Sequence, residues 1–108
     1  MESTAHYGRD TSEVRVHLGA SFVLDLPARA TGGYTWQVEQ EPGVAVLRSE
    51  RVVSAGSALG GPSMQEFEFM ATHPGSGTLI MQLKRQWEST VIETLRLTVI
   101  VTSVFSGA

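Results

Sequence analysis

The stretch Phe22-Val23-Leu24-Asp25-Leu26-Pro27-Ala28-Arg29-Ala30-Thr31-Gly32-Gly33-Tyr34-Thr35-Trp36-Gln37-Val38 holds two alternating runs separated by a break. Phe22, Leu24 and Leu26 fall on one face of an extended chain, and Tyr34, Trp36 and Val38 do the same beyond the break, because side chains in a strand alternate with period two. Between the runs stand a proline, which has no N–H for a ladder, and two glycines, which adopt φ > 0 without a steric penalty. The chain turns here, and the residues offered at the turn are small: Ala30, Thr31, Gly32 and Gly33. The expectation is a tight hairpin, a slim loop on a stiff double-stranded stem.

Working outward, the period stays at two. Val14, Val16 and Leu18 alternate with Glu13, Arg15 and His17. Gly19-Ala20-Ser21 interrupts before Phe22. After Val38, Glu41-Pro42-Gly43 is a turn signal. The run 44–53 is apolar at both ends, with a bend or bulge expected near Arg48-Ser49-Glu50. Residues 54–63 form a long Gly- and Ser-rich connection, after which Phe67 and Phe69 alternate with Glu66 and Glu68. His73-Pro74-Gly75-Ser76-Gly77 turns the chain, Leu79, Met81 and Leu83 alternate, and a break at 84–90 precedes the last run, 91–101. No window has the three-and-four apolar spacing of a helix. About seven short strands separated by turn signals predict an all-β, immunoglobulin-like antiparallel sandwich. The expected boundaries are a tail or loosely attached edge at 1–12, one domain at 13–104, and a short tail at 105–108.

Composition narrows the function. A chain of 108 residues with 42% hydrophobic content can bury a core as one domain. With no cysteine, disulfides, a thiol nucleophile and thiolate metal sites are excluded. A net charge of −3 argues against nucleic acid, which requires a basic face. No window approaches the ~20 apolar residues of a membrane span. The polar start, MESTAHYGRDTSE, shows no signal peptide, which fits the cytoplasm or a processed exported form. His6, His17 and His73 have no metal-ligand spacing, and Asp25, opposite in phase to Leu24 and Leu26, is expected in solvent. There is no nucleophile-elbow or phosphate-loop motif, so neither catalysis nor a cofactor is expected.

If strands alternate in direction, connections alternate between the two ends of the sandwich. Counted from the Gly19 turn, the even connections, 27–33, 54–63 and 85–90, fall at one end, and the plain turns fall at the other. Function is expected at the elaborated end. Trp36, in phase with Tyr34 and Val38, reads as core. Trp87, between Lys84-Arg85-Gln86 and Glu88-Ser89-Thr90, reads as exposed, and an exposed Trp beside Arg has the makings of an interface hot spot. Arg85 is open to three roles: pairing with an acidic partner residue, stacking on Trp87, or remaining solvated. Leu59 is the large apolar residue of the middle connection, either covering a partner's rim or folding back. Gly60 and Gly61 allow close backbone approach.

Three motifs occur in order: Arg29-Ala30-Thr31-Gly32-Gly33-Tyr34-Thr35-Trp36, then Leu59-Gly60-Gly61-Pro62 leading to Phe67-Glu68-Phe69, then Arg85-Gln86-Trp87. Together, over residues 14–102, they resemble the chagasin family of cysteine-peptidase inhibitors. That family carries N-P-T-T-G followed by an aromatic, one residue and Trp; then a Gly-rich loop; then R-P-W. Here Arg29, Ala30 and Gly32 depart from the first motif, and Gln86 from the third. Losing proline at 30 and 86 leaves those loops less pre-organised. The resemblance implies a monomeric inhibitor whose partner is a papain-like cysteine peptidase. The loop around Thr31 would enter the cleft over the catalytic cysteine, with Leu59, Gly60 and Gly61 on one rim and Arg85, Gln86 and Trp87 on the other. The alternative at this level is an immunoglobulin-like adhesion or assembly module that holds a non-peptidase partner.

Overall fold

Glu66 and Glu68 bracket Phe67 in the sequence, and side-chain burial follows that alternation without a break from Ser63 to Ala71. The computed structural model describes residues 4–28, 32–54 and 63–103. They form eight strands: β1 (Ala5–Tyr7), β2 (Glu13–His17), β3 (Ser21–Ala28), β4 (Tyr34–Gln40), β5 (Ala45–Ser54), β6 (Ser63–Ala71), β7 (Gly75–Arg85) and β8 (Val91–Thr102). Two four-stranded sheets face one another, ordered β1-β3-β6-β5 and β2-β8-β7-β4. The inward faces carry Phe22, Leu24, Leu26, Phe67 and Phe69 from the first sheet and Trp36, Leu79, Met81, Leu83, Leu97 and Val99 from the second, all buried. Phe22 and Phe69 stack with ring centroids 5.3 Å apart. Burial of each such side chain is worth roughly 1.5–3 kcal/mol, so the apolar half of each alternating run holds the two layers together.

The predicted hairpin at 27–33 does not form. Leu26 pairs with Gln65 of β6 and Trp36 with Leu83 of β7, so the connection crosses from one sheet to the other. The reason is that both flanking runs present large apolar faces. Placed in opposite layers, Leu26 and Trp36 both point into the core.

The pairing is also not uniformly antiparallel. β1 runs parallel to β3 and β2 parallel to β8, because the N-terminal segment edges one sheet and then passes to the other. Residues 5–7, read from sequence as part of a tail or loose edge, make an eighth strand. Tyr7 packs edge-on against Phe22, with centroids 6.2 Å apart. His6 Nδ1 lies 2.7 Å from Asp25 Oδ2, so Asp25 is paired rather than free in solvent. Arg9 forms an ion pair with Glu93 on β8.

The expected bend in the 44–53 run is a register shift between Leu47 and Ser49. A second shift lies between Val38 and Gln40. Both are in strands that pair on one side only, β5 and β4, where bulges blunt an edge against strand addition. The turns at Gly19, Gly43 and Gly75 take φ of 87°, 82° and 125°. Backbone bonds lace them together: Gly19 N–H to Ala71 O at 3.0 Å, Ala71 N–H to Ala20 O at 2.9 Å, and Thr72 N–H to Val44 O at 2.8 Å. One end of the sandwich is thus short and closed.

Candidate functional site

At the other end the register brings three connections together. Ala28 and Ser54 both pair with Ser63, so β3, β6 and β5 end level. Tyr34 pairs with Arg85 and Lys84 with Val91, so β4, β7 and β8 do the same in the facing sheet. β5 with β6 and β7 with β8 are consecutive antiparallel pairs, one in each sheet, and both open toward this end. β3 ends and β4 begins at this same end, in opposite sheets. This matches the end predicted from the alternation of connections. Of the residues singled out there, Arg29, Ala30, Thr31, Leu59, Gly60 and Gly61 lie outside the described residues. Gly32, Gly33, Arg85, Gln86 and Trp87 lie within them.

The base of the crossing connection is fixed from both sides. Trp36 is buried, at 2% exposure, and its indole Nε1–H donates to Pro27 O at 2.9 Å. The end of β3 is thereby tied to the start of β4. From β6, Gln65 Oε1 accepts from Trp36 N–H at 2.7 Å, and Gln65 Nε2 donates to Trp36 O at 3.1 Å. β4 has no strand on that side, and the side-chain amide satisfies the backbone there. A buried N–H or C=O left without a partner costs about 1–3 kcal/mol.

Above that base the first and third connections touch. Gly32 and Gly33 have φ of 91° and 80°, the left-handed conformation anticipated for them. Arg85 Nε–H donates to Gly32 O at 2.7 Å, and its Nη1 lies 3.3 Å from Glu88 Oε2. The guanidinium sits 4.5 Å from the centroid of its cross-strand neighbour Tyr34 and 5.9 Å from that of Trp87. The Trp87 ring lies so close over Gly33 that a β-carbon there would come within 2.7 Å of Cη2. Of the three roles open to Arg85, contact with aromatic rings is realised, together with hydrogen bonds inside the chain. Trp87 remains 71% exposed, an indole braced from below and open above. Glu88 N–H donates to Arg85 O at 3.2 Å, closing the turn that carries it.

Other apolar side chains at this end are also exposed: Ile92 beside the third connection, and Val52 and Val53 on the stem of the second. The sequence reading did not single out Gln65, Tyr34 or Glu88 as site residues. Alternation identifies the face of a residue but not its partner across the sandwich. The one local signal was the three-residue spacing of Arg85 and Glu88. Among the described residues no group of three or more His, Asp or Glu is placed to hold a metal ion, and no helix is long and apolar enough to cross a membrane.

An immunoglobulin-like sandwich with one closed end and three connections gathered at the other is a scaffold for presenting loops to a partner. Residues 15–101 match the model of the chagasin family peptidase inhibitor I42, and the chain belongs to that family. The cysteine protease inhibitor EhICP2 from Entamoeba histolytica has a similar structure, with 17% identity, a TM-score of 0.77, and coverage of 94% of this chain and all of that one. Amebosin is similar too, with 18% identity, a TM-score of 0.76 and the same coverage. PbICP-C, solved in complex with falcipain-2, aligns with 16% identity and a TM-score of 0.56 over 93% of this chain and 99% of the other. No curated protein sequence matches the chain significantly.

Proposed function

We propose that the chain is a reversible, tight-binding inhibitor of papain-like cysteine peptidases, acting as a monomer and not as a catalyst. The observation that carries this reading is the convergence of three loop stems at one end of a sandwich belonging to a peptidase-inhibitor family. Three stems ending level at one end can present their connections together as a wedge. The segment Arg29, Ala30, Thr31, Gly32 and Gly33 enters the cleft, with Thr31 over the thiolate–imidazolium pair. Leu59, Gly60 and Gly61 cover one rim, and Gln86 and Trp87 the other, with Arg85 behind them. Inhibition is by occlusion. The chain has no cysteine for disulfide capture, and the inserted loop survives because no peptide carbonyl needs to reach attack geometry. PbICP-C, a fold neighbour found in complex with falcipain-2, lends support. The bulged free edges of β4 and β5 favour a monomer.

Titration against papain and a cathepsin L-type peptidase tests the proposal, with residual activity followed and the inhibitor weighed afterwards by mass spectrometry. Stoichiometric inhibition at nanomolar to micromolar concentration with the chain intact is expected. No inhibition at about 100 µM, where the binding free energy is down to roughly 5–6 kcal/mol, overturns it for these enzymes.

A further inference from the structure

We propose that Arg85 is a positioning residue: it locks the first and third connections into one rigid body and acts on the partner through Gly32 and Trp87, not by touching it. The inference deepens the inhibitor reading and rests on it. The family resemblance puts Arg85 on the rim that touches the partner, while its residue type alone leaves three roles open. In the structure two of its nitrogens are engaged within the chain, Nε–H donating to Gly32 O at 2.7 Å and Nη1 lying 3.3 Å from Glu88 Oε2. Its planar cation lies over Tyr34, and two-thirds of the side chain is covered. These contacts reach three places at once: the crossing connection, the turn after β7, and the first residue of β4.

The two connections need such a lock. Neither has a proline between Ala28 and Tyr34 or between Arg85 and Val91. The crossing connection contains two consecutive glycines, the least restricted residues in the chain. No hairpin ladder stiffens it, since β3 and β4 belong to different sheets. A loop ordered before binding loses less freedom on binding. The arginine fork supplies that order, because its fixed plane directs Nε and Nη1 to different acceptors while its face stacks on a ring. Trp87 depends on the same arrangement. Its ring rests on Gly33, and Gly33 is held in place through the carbonyl of Gly32.

Arg85→Lys separates this role from a direct charge contact. Lysine keeps the charge and loses the fork. The lock predicts that Arg85→Lys and Arg85→Ala both weaken papain inhibition by about tenfold. The loss should be the same at 50 and 500 mM salt, since a charge pairing with the partner would be screened. In the free protein, backbone 15N order parameters at Gly32, Gly33 and Trp87 should fall in both variants, while β6 and β7 stay rigid and the thermal midpoint is nearly unchanged. A lysine variant with wild-type inhibition, or a loss that vanishes at high salt, overturns the proposal in favour of a direct contact. Unchanged order parameters overturn it as well. If the unaltered chain inhibits neither papain nor a cathepsin L-type enzyme, the inhibitor reading fails and takes the functional half of the proposal with it. The order parameters still decide whether the lock exists.

Discussion

The side-chain amide of Gln65 makes two hydrogen bonds to the backbone of Trp36, one to its N–H at 2.7 Å and one from Nε2 to its O at 3.1 Å. Gln65 is thereby a substitute for a missing strand, reaching from one sheet to complete the free edge of the other. It is 4% exposed, so water is a poor replacement. Gln65→Leu is expected to leave both backbone groups unpaired and to cost about 2–4 kcal/mol, lowering the thermal midpoint by about 10 °C or more. Gln65→Glu should be at least as harmful. A carboxylate can accept from Trp36 N–H, but it faces Trp36 O with no donor. Thermal and urea denaturation of the two variants checks both statements.

Gly32 and Gly33 have nearly the same φ, 91° and 80°, but different surroundings. A β-carbon on Gly32 would find its nearest atoms at 3.5 Å, an ordinary contact. On Gly33 it would collide with the Trp87 ring. Gly32→Ala is therefore expected to cost about 1 kcal/mol through the backbone alone, with Trp87 undisturbed. Gly33→Ala carries the same backbone cost and must also displace the indole. The comparison is read from Trp87 emission and acrylamide quenching, with Trp36 as the buried reference. Equal spectra for the two variants would show that Trp87 does not rest on Gly33.

Much of this architecture is written in single-strand patterns. Phe67 and Phe69 between glutamates, and Leu79, Met81 and Leu83 on one side of their strand, identify inward faces without reference to anything else. The order of the turns then placed the elaborated connections at one end. What escaped depends on two strands at once. Leu26 and Trp36 have the same pattern whether they pair with each other or face each other across the core, and the hairpin reading of Gly32-Gly33 failed for that reason. Ala5-His6-Tyr7 is too short and polar to announce a strand, and it is held by Phe22 and Asp25. Arg85 offered its residue type but not its direction. Its acceptor, Gly32 O, lies 53 positions away.

At the closed end, Gly77 lies directly beneath the carbonyl of Pro42, with no room for a β-carbon. Its φ is not in the left-handed range, so the constraint is purely one of space. Gly77→Ala should force the Pro42 turn away from β7 and cost about 1–3 kcal/mol. Gly43→Ala, with φ of 82° and open space around it, should cost about 1 kcal/mol through the backbone. Both sites are at the far end from the three connections. Inhibition per folded molecule should therefore match wild type in each variant. A drop in inhibition without a drop in stability would contradict the division of the molecule into a closed end and a binding end.

Trp36 and Trp87 divide structure from binding most sharply. Trp87→Ala removes an indole that is 71% exposed, and the expected change in unfolding free energy is within about 0.5 kcal/mol. As an exposed aromatic anchor on one rim of the proposed interface it should cost about 2 kcal/mol of binding, a roughly thirtyfold rise in the inhibition constant. Trp36→Phe should do the reverse. It removes the hydrogen bond to Pro27 O and leaves a gap in the core, so about 1–3 kcal/mol of stability is lost. Inhibition by the folded fraction should fall far less than in Trp87→Ala, since Trp36 has almost no surface to offer a partner and the Gln65 bonds still hold the start of β4. Chemical denaturation and tight-binding inhibition assays on the two variants provide the comparison. If Trp87→Ala inhibits as well as the unaltered chain, the third connection is not part of the contact surface.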